Sequence, residues 1–204
     1  MTRFILVRHG ETEWNRNPRF RGQSDVPLNA TGLAQAAAAG RAVAARWQPV
    51  AVYHSPLGRA RQTAEAIAGP LGLIPQPHAG LLDIHFGHLQ GLTVEEAQAR
   101  WPDVTRSWIE TPERTRFPGG ETLAVVHDRG MAAVREIAAR HPDQTVVLVG
   151  HQVMNRVILL GVLGLGLDRL WRIGQDTAAI NVFDLDLRRN EFTLLSLNDT
   201  CHLL

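Results

Sequence analysis

The chain has one cysteine, Cys201, in 204 residues, so no internal disulfide can form and the fold must be held by its own core. A lone cysteine near the C-terminus, with no activating motif around it, reads as incidental rather than catalytic. Excess charge of either sign is missing too. The formal net charge is +1, which gives no general pull toward nucleic acid or a membrane surface. Long apolar runs are also absent. The stretch from Met1 to Val7 is too short for a signal peptide before it meets Arg8, and the longest apolar run, Val157 to Leu167, is broken by glycines. Repeats and low-complexity linkers are lacking. These absences predict a soluble, cytoplasmic protein without a membrane partner. Hydrophobic residues at 45% and charged residues at 20% suffice for a sizeable core in one domain over 1–204.

What is present is an alternation of two patterns. Short apolar runs predict strands at Phe4 to Val7, Val50 to Tyr53 and Gln144 to Val149, with a lesser one at Ile74 to His78. Helical stretches fall between them, at Thr31 to Trp47, Leu57 to Ala68 (stopped by Gly69 and Pro70), Glu121 to Arg140 and Val153 to Leu163. A terminal strand pair is expected over Ala178 to Leu187 and Glu191 to Leu197. Residues 79–120 read as irregular, with helical pieces at Val94 to Arg100 and Val104 to Ile109. Such alternation implies an α/β fold with a mostly parallel sheet covered on both faces. Ligands of such sheets sit beyond the carboxyl ends of the strands. Three strand ends carry polar punctuation, at Arg8-His9-Gly10, His54-Ser55-Pro56 and Gly150-His151, and these are expected to meet at one rim.

The chemistry follows from those ends. Arg8 sets a fixed fork of donors beside the His9 imidazole, suited to phosphate oxygens, and Gly10 lets the backbone turn. Thr12 and Asn15 add donors for a phosphate. Arg59, in the first turn of a helix, reads either as a solvated residue or as a second phosphate clamp where the helix dipole favours anions. His151 repeats the pattern of His9. Two such histidines and two arginines make a pocket for a tetrahedral anion. Asp83, in the irregular stretch, reads either as a turn residue or as a carboxylate that protonates a leaving alkoxide.

These residues lie within longer motifs: Leu6 to Asn15, then Arg21-Gly22 with Asp25 to Leu28 and Gly32, Ser55 to Thr63, Asp83 to Gly91, Pro118 to Glu121, and Gly150-His151 with Asn155-Arg156. In this order they resemble the histidine phosphatase superfamily, in the branch of the cofactor-dependent phosphoglycerate mutases and their phosphatase relatives. The resemblance implies a three-layer α/β/α sandwich. It implies that His9 is the nucleophile, that Arg8, Arg59 and a protonated His151 hold the phosphoryl oxygens, and that Asp83 is the general acid and base. Asn15 and the backbone at Gln152 would add donors to the phosphate. No metal and no cofactor are implied, and the substrate would be a small phosphorylated metabolite.

Some positions depart from the family pattern. Asp83 stands where many members have glutamate, which requires a closer loop or a bridging water. Arg21 precedes Gly22 where glutamine is frequent; it reads either as a cation at the pocket mouth, favouring a second negative group, or as a surface residue. Gln152 replaces a frequent glycine. His85 and His88 read as incidental loop residues. The segment 79–120 is expected to be a specificity cap packed by Trp101 and Trp108. Its mixed charge favours a phosphatase over a phosphoglycerate mutase, with an alpha-ribazole phosphatase as a further alternative. A metal site on Asp83, His85 and His88 matches no helical ligand spacing. A binding module would not need the intact His9 and arginine set. The glycines at 164 and 166 follow a helix, so they do not open a dinucleotide site. A homodimer through the apolar C-terminal pair stays open.

Overall fold

A computed structural model describes residues 1–204. The elements in chain order are β1 (Thr2–Arg8), α1 (Glu13–Arg16), α2 (Ala30–Arg46), β2 (Ala51–His54), α3 (Gly58–Ala68), β3 (Gln76–Pro77), α4 (Val94–Arg100), α5 (Pro102–Glu110), α6 (Leu123–Arg140), β4 (Thr145–Gly150), α7 (Gln152–Leu163), β5 (Ile180–Asp186) and β6 (Glu191–Asp199). The six strands form one sheet in the order β3-β2-β4-β1-β5-β6. β1 pairs in parallel with β4, and β2 in parallel with both β4 and β3. Only β5 is reversed, running antiparallel to β1 and to β6.

Period-two alternation explains why the central strands read as unbroken apolar runs. On β1, Phe4 and Leu6 enter a core cluster of 31 buried residues, whereas Ile5 and Val7 enter one of 13 on the opposite face. On β4, Val146 and Leu148 divide from Val147 and Val149 in the same way. The larger core lies under α6 and α7 and the smaller under α2 and α3, so the expected three layers are present. Leu81, Ile84, Phe86, Leu89, Ala97, Trp108 and Phe117 belong to the larger cluster, so segment 79–120 packs into the same core as the sheet.

Several bounds differ from the sequence expectation, each for a local reason. The weak strand at Ile74 to His78 shrinks to Gln76–Pro77, because Pro77 has no N–H and Ile74 points into solvent at 85% exposure. α6 begins at Leu123 rather than Glu121. Thr122 is its N-cap, and the Glu121 carboxylate is engaged elsewhere. Ala178 adopts a φ of +58°, and β5 starts only at Ile180. The single turn α1 was not anticipated: four residues are too few for periodicity to reveal.

The topology places the functional strand ends together. β2, β4 and β1 are adjacent and parallel, with Arg8 opposite Gly150 and His54 opposite Val149. The three polar ends therefore share one rim.

Candidate active site

His9 leaves β1 at that rim and is fully buried. Its Nδ1 lies 2.6 Å from the Gly10 carbonyl oxygen, an acceptor, so Nδ1 carries the proton. Nε2 is then the unprotonated nitrogen, and it has no partner. Burial holds the His9 pKa well below the usual imidazole value, reinforced by Arg21, Arg59, His151 and Arg8. Gly10 serves packing as well as the turn. A Cβ there would lie 2.4 Å from the Gly32 carbonyl oxygen, so glycine is required for α2 to dock against the loop.

Guanidinium groups surround the imidazole. Arg8 donates from a terminal nitrogen to the Gln175 carbonyl. Arg59 donates to the Ser24 and Gly22 carbonyls, each at 2.7 Å. Arg21 donates to Thr12 Oγ1 at 3.1 Å and to Asn15 Oδ1 at 3.0 Å. In all three the Nε is buried without a partner. Burial, then Arg21 and Arg156, push Arg8 down to about 9, and burial pushes Arg59 to about 10, so both remain charged at neutral pH. Every one of these cations is arginine; the chain contains no lysine.

His151 is the N-cap residue of α7, fully buried, with its ring centroid 5.2 Å from that of His9. Neither of its ring nitrogens has a partner. Burial and the guanidinium groups of Arg59, Arg21 and Arg8 hold its pKa well below the usual value. In the free site these neighbours therefore disfavour the protonated form expected of His151. Of the eleven buried side-chain atoms lacking a partner, six belong to Arg8, His9, Arg21, Arg59 and His151. Buried polar groups are ordinarily satisfied, so such a concentration of unpaired donors suits a tetrahedral anion such as a phosphoryl group.

Asp83 is 4% exposed and faces the same cluster, its Oδ2 lying 3.7 Å from an Arg59 nitrogen. Oδ1 accepts from the Ile84 N–H at 3.0 Å. Burial raises the Asp83 pKa, against the opposing pull of Arg59 and Arg21. The segment carrying it is fastened by side chains. Arg129 donates to the carbonyls of Gly80, Leu82 and Asp83 and pairs with Glu121 at 3.1 Å. Glu121 in turn accepts from the His85 N–H at 2.8 Å. On the other side, Gln23 donates to the Asp83 carbonyl at 3.0 Å, and its own N–H donates to Gln90 Oε1 at 2.9 Å. Gly22 permits this close packing: its φ is +46°, and a Cβ would lie 2.6 Å from Gln90 Oε1 and 2.7 Å from the Ile84 carbonyl.

The remaining expected residues are placed as follows. Asn15 Oδ1 accepts from the Thr12 N–H, the Thr12 hydroxyl and Arg21, so the Thr12 proton is directed at Asn15 and its oxygen at Arg21. Of the two readings left open for Arg21, the surface one is excluded by its 8% exposure. A cavity of about 390 Å³ opens beside the cluster, lined on its polar side by Arg21, Gly22, Asp83 and Gln152. His85 and His88 do not line it; His85 Nδ1 accepts from the Gly87 N–H at 3.1 Å. No three His, Cys, Asp or Glu side chains converge as metal ligands, which leaves the metal-site alternative without a donor set. Arg129 and Gln175 escaped the sequence reading because an arginine in mid-helix and a glutamine in a loop carry no motif.

Comparison with known proteins agrees with this geometry. Residues 4–200 match the histidine phosphatase superfamily (branch 1). Phosphoserine phosphatase 1 of Hydrogenobacter thermophilus is 37% identical over 203 residues, covering 100% of this chain and 95% of that protein. A metal-independent phosphoserine phosphatase of Arabidopsis thaliana is 37% identical over 166 residues, 79% of this chain and 69% of that protein. The structure of Bacillus stearothermophilus YhfR superposes with a TM-score of 0.94 at 29% identity and covers 100% of both chains. A profile matched from the first strand to the last, a sheet whose three polar ends meet, and an arginine-ringed histidine at their junction identify the chain as a phosphatase of the histidine phosphatase superfamily, branch 1.

Proposed function

We propose that the chain hydrolyses monoesters of small phosphorylated metabolites through a phosphohistidine on Nε2 of His9, without a metal ion. The observation that carries this reading is the state of His9: neutral, fixed by the Nδ1 bond to Gly10, with an unpartnered Nε2 inside an arginine ring. Nε2 attacks phosphorus, the N–P bond forms and the ester P–O bond breaks. Asp83, whose pKa burial raises, gives its proton to the departing oxygen. The resulting carboxylate then takes a proton from water, whose oxygen attacks phosphorus; the N–P bond breaks and inorganic phosphate leaves. Arg8, Arg59 and Arg21 supply the positive charge that phosphoryl transfer requires. His151 contributes a ring N–H to the same oxygens, and a bound dianion raises its pKa. Asn15 and the backbone N–H of Gln152 complete the donor set. Segment 79–120 acts as the specificity cap. Its mainly apolar lining beside Asp83 supports hydrolysis over transfer between the hydroxyls of a phosphoglycerate.

The test is a rapid alkaline quench of the chain mixed with 4-nitrophenyl phosphate. A base-stable, acid-labile phosphoprotein is expected, absent from His9→Ala, with turnover unaffected by chelator and at least about 10³-fold lower in the variant. Full activity in His9→Ala, or activity abolished by chelator, would overturn the reading.

A further inference from the structure

The sheet fixes where Arg8 leaves β1, but not where its long side chain ends. The guanidinium is received by the carbonyl of Gln175, in a loop over residues 174–179 that belongs to no helix or strand. That loop meets the Arg8-His9 dipeptide at two further points. The Arg8 N–H donates to the Ala179 carbonyl at 3.1 Å, and the Ala178 N–H donates to the His9 carbonyl at 3.2 Å. A left-handed φ of +58° at Ala178, uncommon for a residue with a Cβ, makes this turn.

A group of buried amides holds the loop from behind. Gln175 Nε2 donates to Asn181 Oδ1 at 2.8 Å and to the Gly174 carbonyl at 2.7 Å. Gln175 Oε1 accepts from Asn181 Nδ2 at 3.1 Å and from Asn155 Nδ2 at 3.4 Å. All three side chains are buried. Their orientation is set by two backbone groups that cannot exchange roles: Asn181 Nδ2 donates to the Leu6 carbonyl at 3.0 Å, and Asn181 Oδ1 accepts from the Asn198 N–H at 2.8 Å. That N–H faces inward at an irregularity in the β5–β6 register, where Asn198 has a φ of +53°. The Asn198 side chain also grips the loop directly. Its Oδ1 accepts from the Asp176 N–H at 2.7 Å, and its Nδ2 donates to the Asp176 carboxylate at 2.8 Å.

Buried amides are costly when unsatisfied, and apolar side chains would fill the same space without that risk. Here the amides satisfy one another, with Asn155 Oδ1 the one oxygen left over, and what they deliver is the peptide carbonyl of Gln175. We propose, resting on the hydrolase reading above, that Gln175 is a positioning residue for Arg8: its side chain, locked by Asn181 and Asn155, holds its own carbonyl where it draws the guanidinium onto the phosphoryl oxygens. Without that lock the carbonyl moves. The charge of Arg8 is then withdrawn from the cradle, while His9 and the strap around Asp83 keep their places.

Gln175→Met keeps the length of the side chain and removes the amide. Its kcat/KM should fall at least about tenfold, by the same factor on 4-nitrophenyl phosphate and on ethyl phosphate, because the displaced charge acts on oxygens that both esters share. Calorimetric affinity for inorganic phosphate, which needs no turnover, should weaken at least about fivefold. In an Arg8→Met background the same substitution should cost less than about twofold, since the group it positions is gone. Asn198→Gly suits a positive φ and leaves the buried amides in place, so folding is preserved; it should lower kcat/KM by about two- to fivefold, again only when Arg8 is present. A Gln175→Met chain that melts like the wild type and binds phosphate equally well would overturn the positioning role, as would a loss of the same factor with and without Arg8. If Gln175→Met fails to fold, Asn198→Gly in the two backgrounds decides by the same criterion. Weakened phosphate binding in Gln175→Met, with no ester turned over even by the wild type, would overturn the hydrolase reading and uphold the role of Gln175.

Discussion

The phosphate cradle and the acid-bearing strap are built by different means. The cradle hangs on backbone. His9 and His151 are each the first residue after a strand, Arg8 is the last residue of one, and their strands are paired in register. The strap around Asp83 has no strand or long helix at its position, and its place is set by side chains from elsewhere, chiefly Arg129, Glu121, Gln23 and Gln90. A site part fixed by a sheet survives the loss of a single side-chain contact, whereas one fixed by a few hydrogen bonds shifts when one is removed. The cradle should thus fail through loss of charge, and the strap through loss of aim.

The largest effect is expected from charge. Arg59→Met removes a guanidinium whose charge acts on His9, which lies 3.7 Å from the Asp83 carboxylate and which donates to the carbonyls of Gly22 and Ser24. Its kcat/KM should fall by about 10³-fold on every ester, whatever the leaving group, since the charge acts on the phosphoryl oxygens common to all. A loss under tenfold, measured by steady-state kinetics, would remove Arg59 from the cradle.

The same contrast governs what the sequence made legible. The strands, the rim and the histidines at its centre were readable because an apolar run ending in a polar residue is a local signal, and parallel topology does the rest. Arg8 and Arg59 were readable because they adjoin those ends. The position of Arg21 was not: whether it faces the pocket or solvent depends on Thr12 and Asn15 reaching it across a loop. The Arg129–Glu121 clamp was hidden for a similar reason. Glu121 looked like the first residue of a helix, and only the tertiary structure turns it back onto the strap. The electrostatic setting of His151 was hidden for the same reason: burial and the guanidinium groups of Arg59, Arg21, Arg8 and Arg129, brought together only by the fold, lower its pKa in the free site.

A smaller and more selective effect is expected from the strap. Asp83→Asn should lower turnover of an alkyl phosphate by about 10²-fold or more, the usual contribution of a general acid. With 4-nitrophenyl phosphate, whose oxygen leaves without a proton, formation of the phosphohistidine should fall less than tenfold. Arg129→Met leaves the carboxyl in place but releases the carbonyls that aim it, so about a tenfold loss on the alkyl ester is expected, again largely absent in the nitrophenyl burst. For the wild-type chain, the alkyl-ester rate should decline as pH rises through the raised pKa of Asp83, because the acid is then lost. Equal losses on both leaving groups in Arg129→Met would mark the clamp as a fold element only, not a positioning one.

The smallest effect expected is on stability, and it separates the two regions by sign. His9 and His151 are neutral when folded, since burial and the surrounding arginines hold both well below the usual value of 6.5. Unfolding exposes them to water, where each takes up a proton near that value. The unfolded chain thus binds more protons below pH 6.5, and stability falls as pH falls, by up to about 1.4 kcal/mol per group per pH unit. Between pH 6.5 and 5.5, where the unfolded histidines go from half to almost fully protonated, the pair together removes about 2 kcal/mol, which for a chain of this size lowers Tm by about 4–8 °C. His54 and His202, also lowered by burial, add to the fall. Asp83 acts in the opposite sense: its raised folded pKa means that protonation favours the folded state, so it returns part of the loss as pH drops through that value. Inorganic phosphate should flatten the acid-side slope, because a bound anion gives His151 a reason to hold its proton in the folded state. His151→Asn should flatten it without phosphate, removing one of the two protons from the balance. Thermal melts across this range, for the wild type with and without phosphate and for the variant, read all three. An unchanged slope in His151→Asn would mean that His151 is already protonated in the free cradle, and that the cradle carries one more positive charge than its arginines supply.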